Sequence, residues 1–412
     1  MNQAAVLSLN DRRGQHQGPD RTGGRGTDGR GGAELRTSLF STLRRSDQRE
    51  KADRYLSGLL AAEGRKSIRN IATVHGGPAA EQSLHHFICS STWDWEPMRA
   101  ELARFLGRTA PHRAWVVRSL AIPKAGTHSV GVGRQFVPDL GQVMNGQLAY
   151  GAWFASEGIS APVDWRLFLP PTWLDHEGRR SRAEIPDGIE EATPAQCAVD
   201  TGLGAARSWG LPNRPVILDT ELGEPGTAVR AFAAAGVPLL ARIDARTQLS
   251  VADRALPGAG SGALPARQIL ESVRGLARPV DWTHPTAPGV RLTTLAAAVP
   301  VRLTRPATGP APLARRELLL LGEWPDRRRQ PSRIWLADLP GVPLSSLLRL
   351  SKLAVRVDHD VERVGDRVGQ RDYEGRSFPG WHRHMTLVSA AHTLAIRTAA
   401  PSAARGEQRR AS

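Results

Sequence analysis

Lysine is nearly absent: it stands only at positions 51, 66, 124 and 352 of 412 residues, yet the formal net charge is +15. The positive charge is therefore carried by arginine. Cysteine is as scarce, with Cys89 and Cys197 far apart and no CxxC or Cys/His grouping around either. That excludes a disulfide framework and a zinc finger and suits a reducing cytoplasm. Long hydrophobic runs are missing too. None approaches the ~18 residues of a membrane span, and the first residues lack the apolar core of a signal peptide, so neither membrane insertion nor export is expected.

What is present points to a folded centre between unfolded ends. Hydrophobic residues make up 40% of the chain and include eleven tryptophans, enough for a sizeable core. Arginine's planar fork suits phosphate oxygens, and a positive excess of this size favours a polyanionic partner. Codon bias in a GC-rich genome explains arginine replacing lysine, but not the excess of charge.

Residues 1–34 are rich in Gly, Arg and Asp with almost nothing to bury and read as a disordered basic arm. Residues 35–108 carry helical spacing, with Leu39, Leu43, Tyr55, Leu59 and Leu60 on helix faces, and form a helical N-terminal domain. An α/β segment follows over 109–245. Strands are expected at Ala114 to Val117, Ser129 to Gln135 and Gln147 to Ser156, and then a strand "RPVILD", a helix stopped by Gly236 and a strand "VPLLARID" make a parallel strand-helix-strand unit. Residues 246–345 hold many prolines and short strand signals and read as a β-rich insertion. Helices return over 346–400, and 401–412 form a polar, disordered tail.

Several residues could carry chemistry. Asp219 ends an apolar strand, where open α/β sheets put ligands, and could hold a divalent metal with help from Glu221 or Glu224. A turn or capping aspartate is the plain alternative. Asp358 and Glu362 are four apart and share a helix face, so either could offer an oxygen to a metal held by Asp219, though a solvated charged face is the plainer reading of that stretch alone. His382 and His384 are two apart on a helix and so do not share a face. Phosphate contact by Arg383 and the histidines, supported by Arg376, suits that stretch better than a metal site. The run "DRRRQPSR" at 326–333 reads as a solvated turn or a hairpin tip touching DNA, and Lys124 could reach a phosphate from its loop.

Four stretches in order, "YLSGLL" with "RKSI", "IPKAGTHSVGVGRQ", "DWRLFLPPTW" with "IPDGI", and "YEGRSFPGWHRHMTL", make the chain resemble a bacterial insertion-sequence transposase of the DDE type. The resemblance runs from about Leu39 to Ile396. It implies a ribonuclease-H-like mixed sheet with flanking helices, and phosphodiester cleavage and strand transfer at transposon ends, with three carboxylates holding two Mg²⁺ ions. The partner it implies is double-stranded DNA, bound by a homodimer, in the cytoplasm at the nucleoid.

In that pattern the first aspartate follows the first strand, where this chain reads Arg118-Ser119; the second matches Asp219 and the third, normally a glutamate, matches Asp358. Glu374 and Glu362 are substitutes for the third carboxylate, and Lys124, Arg134, Arg376, His382 and Arg383 are the DNA contacts. The resemblance thus implies a degenerate copy whose catalysis is impaired. Two other readings stand beside it. One is a non-catalytic, relic or domesticated DNA-binding transposase. The other is a haloacid-dehalogenase-type phosphohydrolase, since "VILDTE" resembles a strand ending in a nucleophilic aspartate.

Overall fold

The computed structural model describes residues 30–408, apart from 138–139, 288, 305–315 and 326–329. Five helices open the chain: α1 (Arg30–Phe40), α2 (Ser46–Ala61), α3 (Ile68–Thr73), α4 (Pro78–His85) and α5 (Glu96–Thr109). Then come β1 (Ala114–Pro123), β2 (Gly133–Val137), β3 (Gln142–Ala155), β4 (Ser160–Leu167), α6 (Pro171–Leu174), α7 (Glu177–Arg182) and α8 (Pro194–Arg207). The parallel unit expected from the sequence is β5 (Val216–Leu222), α9 (Gly226–Ala235) and β6 (Leu239–Ile243). The remaining elements are β7 (Gln248–Val251), β8 (Leu264–Pro265), α10 (Ala266–Ser272), β9 (Arg278–Thr283), β10 (Arg291–Leu303), β11 (Leu318–Trp324), β12 (Ile334–Asp338), α11 (Leu344–Asp360) and α12 (Phe378–Gln408).

Local chemistry sets several of these boundaries. Thr193 and Gln196 form a reciprocal capping box at the start of α8, with Pro194 in its first turn. Gly236 ends α9 in the left-handed conformation, φ 66°, which glycine adopts without steric cost.

Every strand joins one sheet, in the order β2-β3-β1-β5-β6-β12-β11-β10-β7-β8, with β4 on β3 and β9 on β10. Within it, β4-β3-β1 are antiparallel neighbours, while β5 runs parallel to β1 and β6 parallel to β5. That is the ribonuclease-H-like order and direction. The 246–345 segment does not stand apart: β12 pairs with β6 and β11, so the insertion's strands lengthen the same sheet. β1 is longer than its apolar run, and Arg118 and Ser119 lie inside it rather than after it. β4 lies outside the strands expected from the sequence; Ser160 to Val163 are all buried, and burial alternates only from Val163 to Leu167.

One hydrophobic cluster runs from Leu35 in α1 to Leu394 in α12, joining the N-terminal helices to the sheet. The α12 helix packs on β4 on one side and on α2 on the other. Arg99 of α5, fully buried, ties the layers together: it donates to Asp164 at 2.6 Å, to the Thr386 hydroxyl at 2.9 Å and to the Trp165 carbonyl at 3.2 Å. The helix α12 continues to Gln408, into the stretch whose composition reads as an unfolded tail.

Buried histidines make this packing sensitive to pH. His384 accepts from the Tyr55 hydroxyl at 2.8 Å through Nδ1, because its Nε2 donates to the Gly369 carbonyl at 3.0 Å. His392 Nε2 donates to the Ser160 carbonyl at 3.3 Å. Burial pushes both imidazoles down to about 4 from an ordinary value of 6.5. The unfolded chain therefore binds more protons between these values, and stability present above 6.5 is lost as pH falls toward about 4. The urea midpoint is expected to drop from about pH 7 to about pH 5, and His392→Asn to flatten that slope. A parent midpoint that is level over this range contradicts the assignment.

Candidate functional site

The parallel ladders align Val117 of β1 with Leu218 of β5, and Leu218 with Ala241 of β6. The next residues along are Arg118, Asp219 and Arg242, so strand alternation sends all three to one face of the sheet. Val117 and Val216 face α8 on the other side, close against Gly202. The result is a row of alternating charge. Arg118 Nη1 lies 3.6 Å from Asp219 Oδ2, and Arg242 Nη1 lies 3.3 Å from Asp219 Oδ1. The Asp219 side chain is only 1% exposed, so these contacts form where water screens little.

α11 lies against β1 and β5 and brings Asp358 to the same point. Asp358 pairs with Arg118 and accepts from Arg333 Nη2 at 2.9 Å, while Arg333 Nη1 is 3.8 Å from Asp219. Asp219 and Asp358, far apart in sequence, thus converge on the same guanidinium groups. Next to them is a cavity of 260 Å³, whose walls include Arg118, Arg242, Arg333 and Arg371 together with Trp153 and Trp165.

The other expected site residues scatter. Glu374 is exposed, pairs with Arg65 at 2.7 Å and is not part of the cavity wall. Glu362 is exposed in the π-helical turn after α11. His382 and Arg383 are 5% and 6% exposed. Arg383 donates to the Trp93 and Ile88 carbonyls at 3.0 and 3.1 Å, and His382 stacks on Trp95 beside Arg99. Both hold the core together and offer no surface to DNA.

α12 is buried all round from Trp381 to Leu394, although polar residues such as His382, Arg383, Thr386, Ser389 and Thr393 make up half of that stretch, so the sequence alone does not mark it as a buried helix. Lys124 is half-buried and donates to the Tyr373 carbonyl at 2.6 Å, tying its loop to the segment before α12. Burial pushes its ammonium group below its usual range. Arg134 and Arg376 are exposed.

Sequence reasoning missed Arg242 and Arg333. Arg242 is the one charged residue inside the strand "LLARI", as Arg118 is inside its own strand, and a lone arginine in a buried strand requires a buried partner. Arg333 closes the basic run 326–333, whose residues 326–329 lie outside the described part. Its side chain turns inward rather than out to solvent.

These residues do not fit a pair of Mg²⁺ ions. A divalent ion needs several oxygen ligands, and among the described residues no group of three or more His, Cys, Asp or Glu side chains could hold a metal ion. The two carboxylates that meet are already engaged by three guanidinium groups.

Comparison with known proteins gives this arrangement its context. A probable transposase for insertion sequence element IS701 from Microchaete diplosiphon is 25% identical over 192 residues, 46% of each chain, so the chain spans just under half the length of that relative. A cryo-EM structure of the piggyBac transposase synaptic complex with hairpin DNA covers 90% of this chain and 72% of its own, at 10% identity and a TM-score of 0.40, too distant to carry an argument. The DDE superfamily endonuclease family matches residues 38–306, well over half of the chain, a span that takes in Arg118, Asp219 and Arg242. By that match, the chain belongs to the DDE superfamily endonuclease family.

Proposed function

We propose that the chain is a transposase-like protein that binds double-stranded DNA at transposon ends as a homodimer, with its metal-dependent cleavage and strand transfer impaired. The observation that carries the impairment is Arg118, which stands where the family's first carboxylate is expected and pairs with Asp219 and Asp358. A guanidinium about 4 Å from a divalent ion is unfavourable by several kcal/mol even at an effective dielectric near 20. DNA binding is supported by the +15 net charge and by exposed arginines such as Arg134 and Arg376, and the relative's name points the same way. The dehalogenase-type reading loses ground, because both Asp219 oxygens face guanidinium groups and are poorly available as nucleophiles.

Stability distinguishes an arginine-filled site from a metal site. In a cluster of carboxylates awaiting metal, removing one relieves repulsion and leaves the fold as stable or more so. Here Asp219 is the buried counter-charge of three arginines, and Asp219→Ala should destabilise the protein by about 3–5 kcal/mol, read by chemical denaturation. An unchanged or raised midpoint would mean that the ion pairs do not form.

Millimolar Mg²⁺ or Mn²⁺ should leave the melting temperature unchanged and produce no nicking of duplex DNA carrying the element's inverted repeats. Metal-dependent nicking by the unaltered chain would falsify the impairment. Binding to the same duplex should weaken steeply with salt, and Arg134→Gln with Arg376→Gln should reduce the salt slope by roughly one for each phosphate that is no longer neutralised. A slope that both substitutions leave untouched moves the DNA surface elsewhere.

A further inference from the structure

At residues 142–145, β3 pairs with β2 alone among the described strands, and β2 is the outermost strand at that end of the sheet. The two strands therefore stand out past the end of β1 as an arm. Alternation gives the arm two unlike faces. Val137 is buried and joins the wall of the cavity beside Asp219. Phe136, one residue earlier, turns outward, and its register partner Val143 lies directly across from it on the same face. Each is 56% exposed. Arg134, two residues before Phe136, shares that face and is exposed as well. An opposed aromatic and β-branched pair this open to water is apolar surface that the fold itself does not use.

We propose that this face takes an unstacked base at the end of a DNA strand, with Phe136 and Val143 covering the base and Arg134 meeting a neighbouring phosphate. Resting on the DNA binding proposed above, this adds which feature of the DNA is held. A base paired inside a duplex shows the groove its polar edge, which Phe136 and Val143 have no hydrogen-bonding group to meet. An unpaired base exposes its flat face, which an aromatic ring covers whatever the sequence. The guanidinium beside the ring supplies the charge that a phosphate backbone requires. A second copy of the chain fits this face less well. Two half-exposed apolar side chains and an arginine offer far less than the ~800 Å² per partner of a stable interface, and each copy carries a net charge of +15. The arm's opposite face belongs to the cavity beside Asp219, so a strand end held here lies next to the candidate site.

The test uses the full chain and two labelled duplexes with the same number of phosphates, one fully paired and one whose terminal pairs are replaced by mismatches. The mismatched end should bind about tenfold more tightly, the contribution of one base stacked on an aromatic ring. Phe136→Leu keeps an apolar side chain and removes the ring, and should bring the two affinities to within about twofold. Phe136→Trp should retain the preference. Arg134→Gln should weaken both duplexes together, through the loss of one phosphate contact. Because Phe136 is more than half exposed, its variants should melt with the parent. Equal binding of the two duplexes by the parent, or a preference that Phe136→Leu leaves intact, overturns the proposal and leaves DNA binding standing, whereas failure to bind either duplex overturns both. Self-association of the parent that Phe136→Leu abolishes, read by sedimentation, assigns the face to a second copy and overturns the proposal as well.

Discussion

A carboxylate that is 1% exposed must have its charge answered within the protein, and at Asp219 three arginines answer it. That requirement fixes much of the centre of the molecule. Arg118 and Arg242 hold the β1-β5-β6 row in register on one face, and Arg118 and Arg333 bind Asp358 of α11 down onto it. In the two-metal arrangement that the family resemblance implies, cations bridge strand and helix carboxylates. Here guanidinium groups bridge them, and the bridge is covalently part of the chain. Strand and helix are therefore held together here by side chains, without depending on a metal.

Other charged groups carry the same logic outward. Asp360 accepts from the Ser160 amide and hydroxyl at 3.1 and 2.7 Å and from Arg356 at 2.7 Å, fastening α11 to β4. Lys352 of α11 pairs with the buried Glu323 of β11, its ammonium 4.1 Å from the Trp282 ring centroid. Arg99 does the equivalent for the N-terminal helices. These elements therefore share internal ion pairs as well as one hydrophobic cluster, and the 35–108 helices and the 246–345 strands are bonded to the core rather than appended to it.

How much of this the sequence disclosed depended on whether the signal was periodic. The apolar runs "AWVV" and "VILD" and the stop at Gly236 are local patterns, and β1, β5, α9 and β6 lie where they put them. Asp219 and Asp358 were legible through a strand end and a family pattern. The arginines were not: Arg242 meets Asp219 across the β5–β6 ladder and left only the faint signal of a lone charge in an apolar strand, and Arg333 acquires meaning only when β12 joins β6, which no local spacing records. Arg383 and His382 misled for the opposite reason. Basic residues read as surface by default, and half of the residues from Trp381 to Leu394 are polar, so nothing in the local pattern shows that the helix is buried on every side.

The same cluster explains why such a site, once formed, is hard to reverse. Arg118, Arg242 and Arg333 all contact one carboxylate, so their contributions couple and do not add. Losing Arg118 alone leaves Arg242 and Arg333 still facing Asp219. Introducing an aspartate there instead sets a third carboxylate among guanidinium groups that compete with a divalent ion for its oxygens. An arginine-filled and a metal-filled cluster are thus separate electrostatic solutions for one set of strand and helix positions, and a single substitution does not convert one into the other.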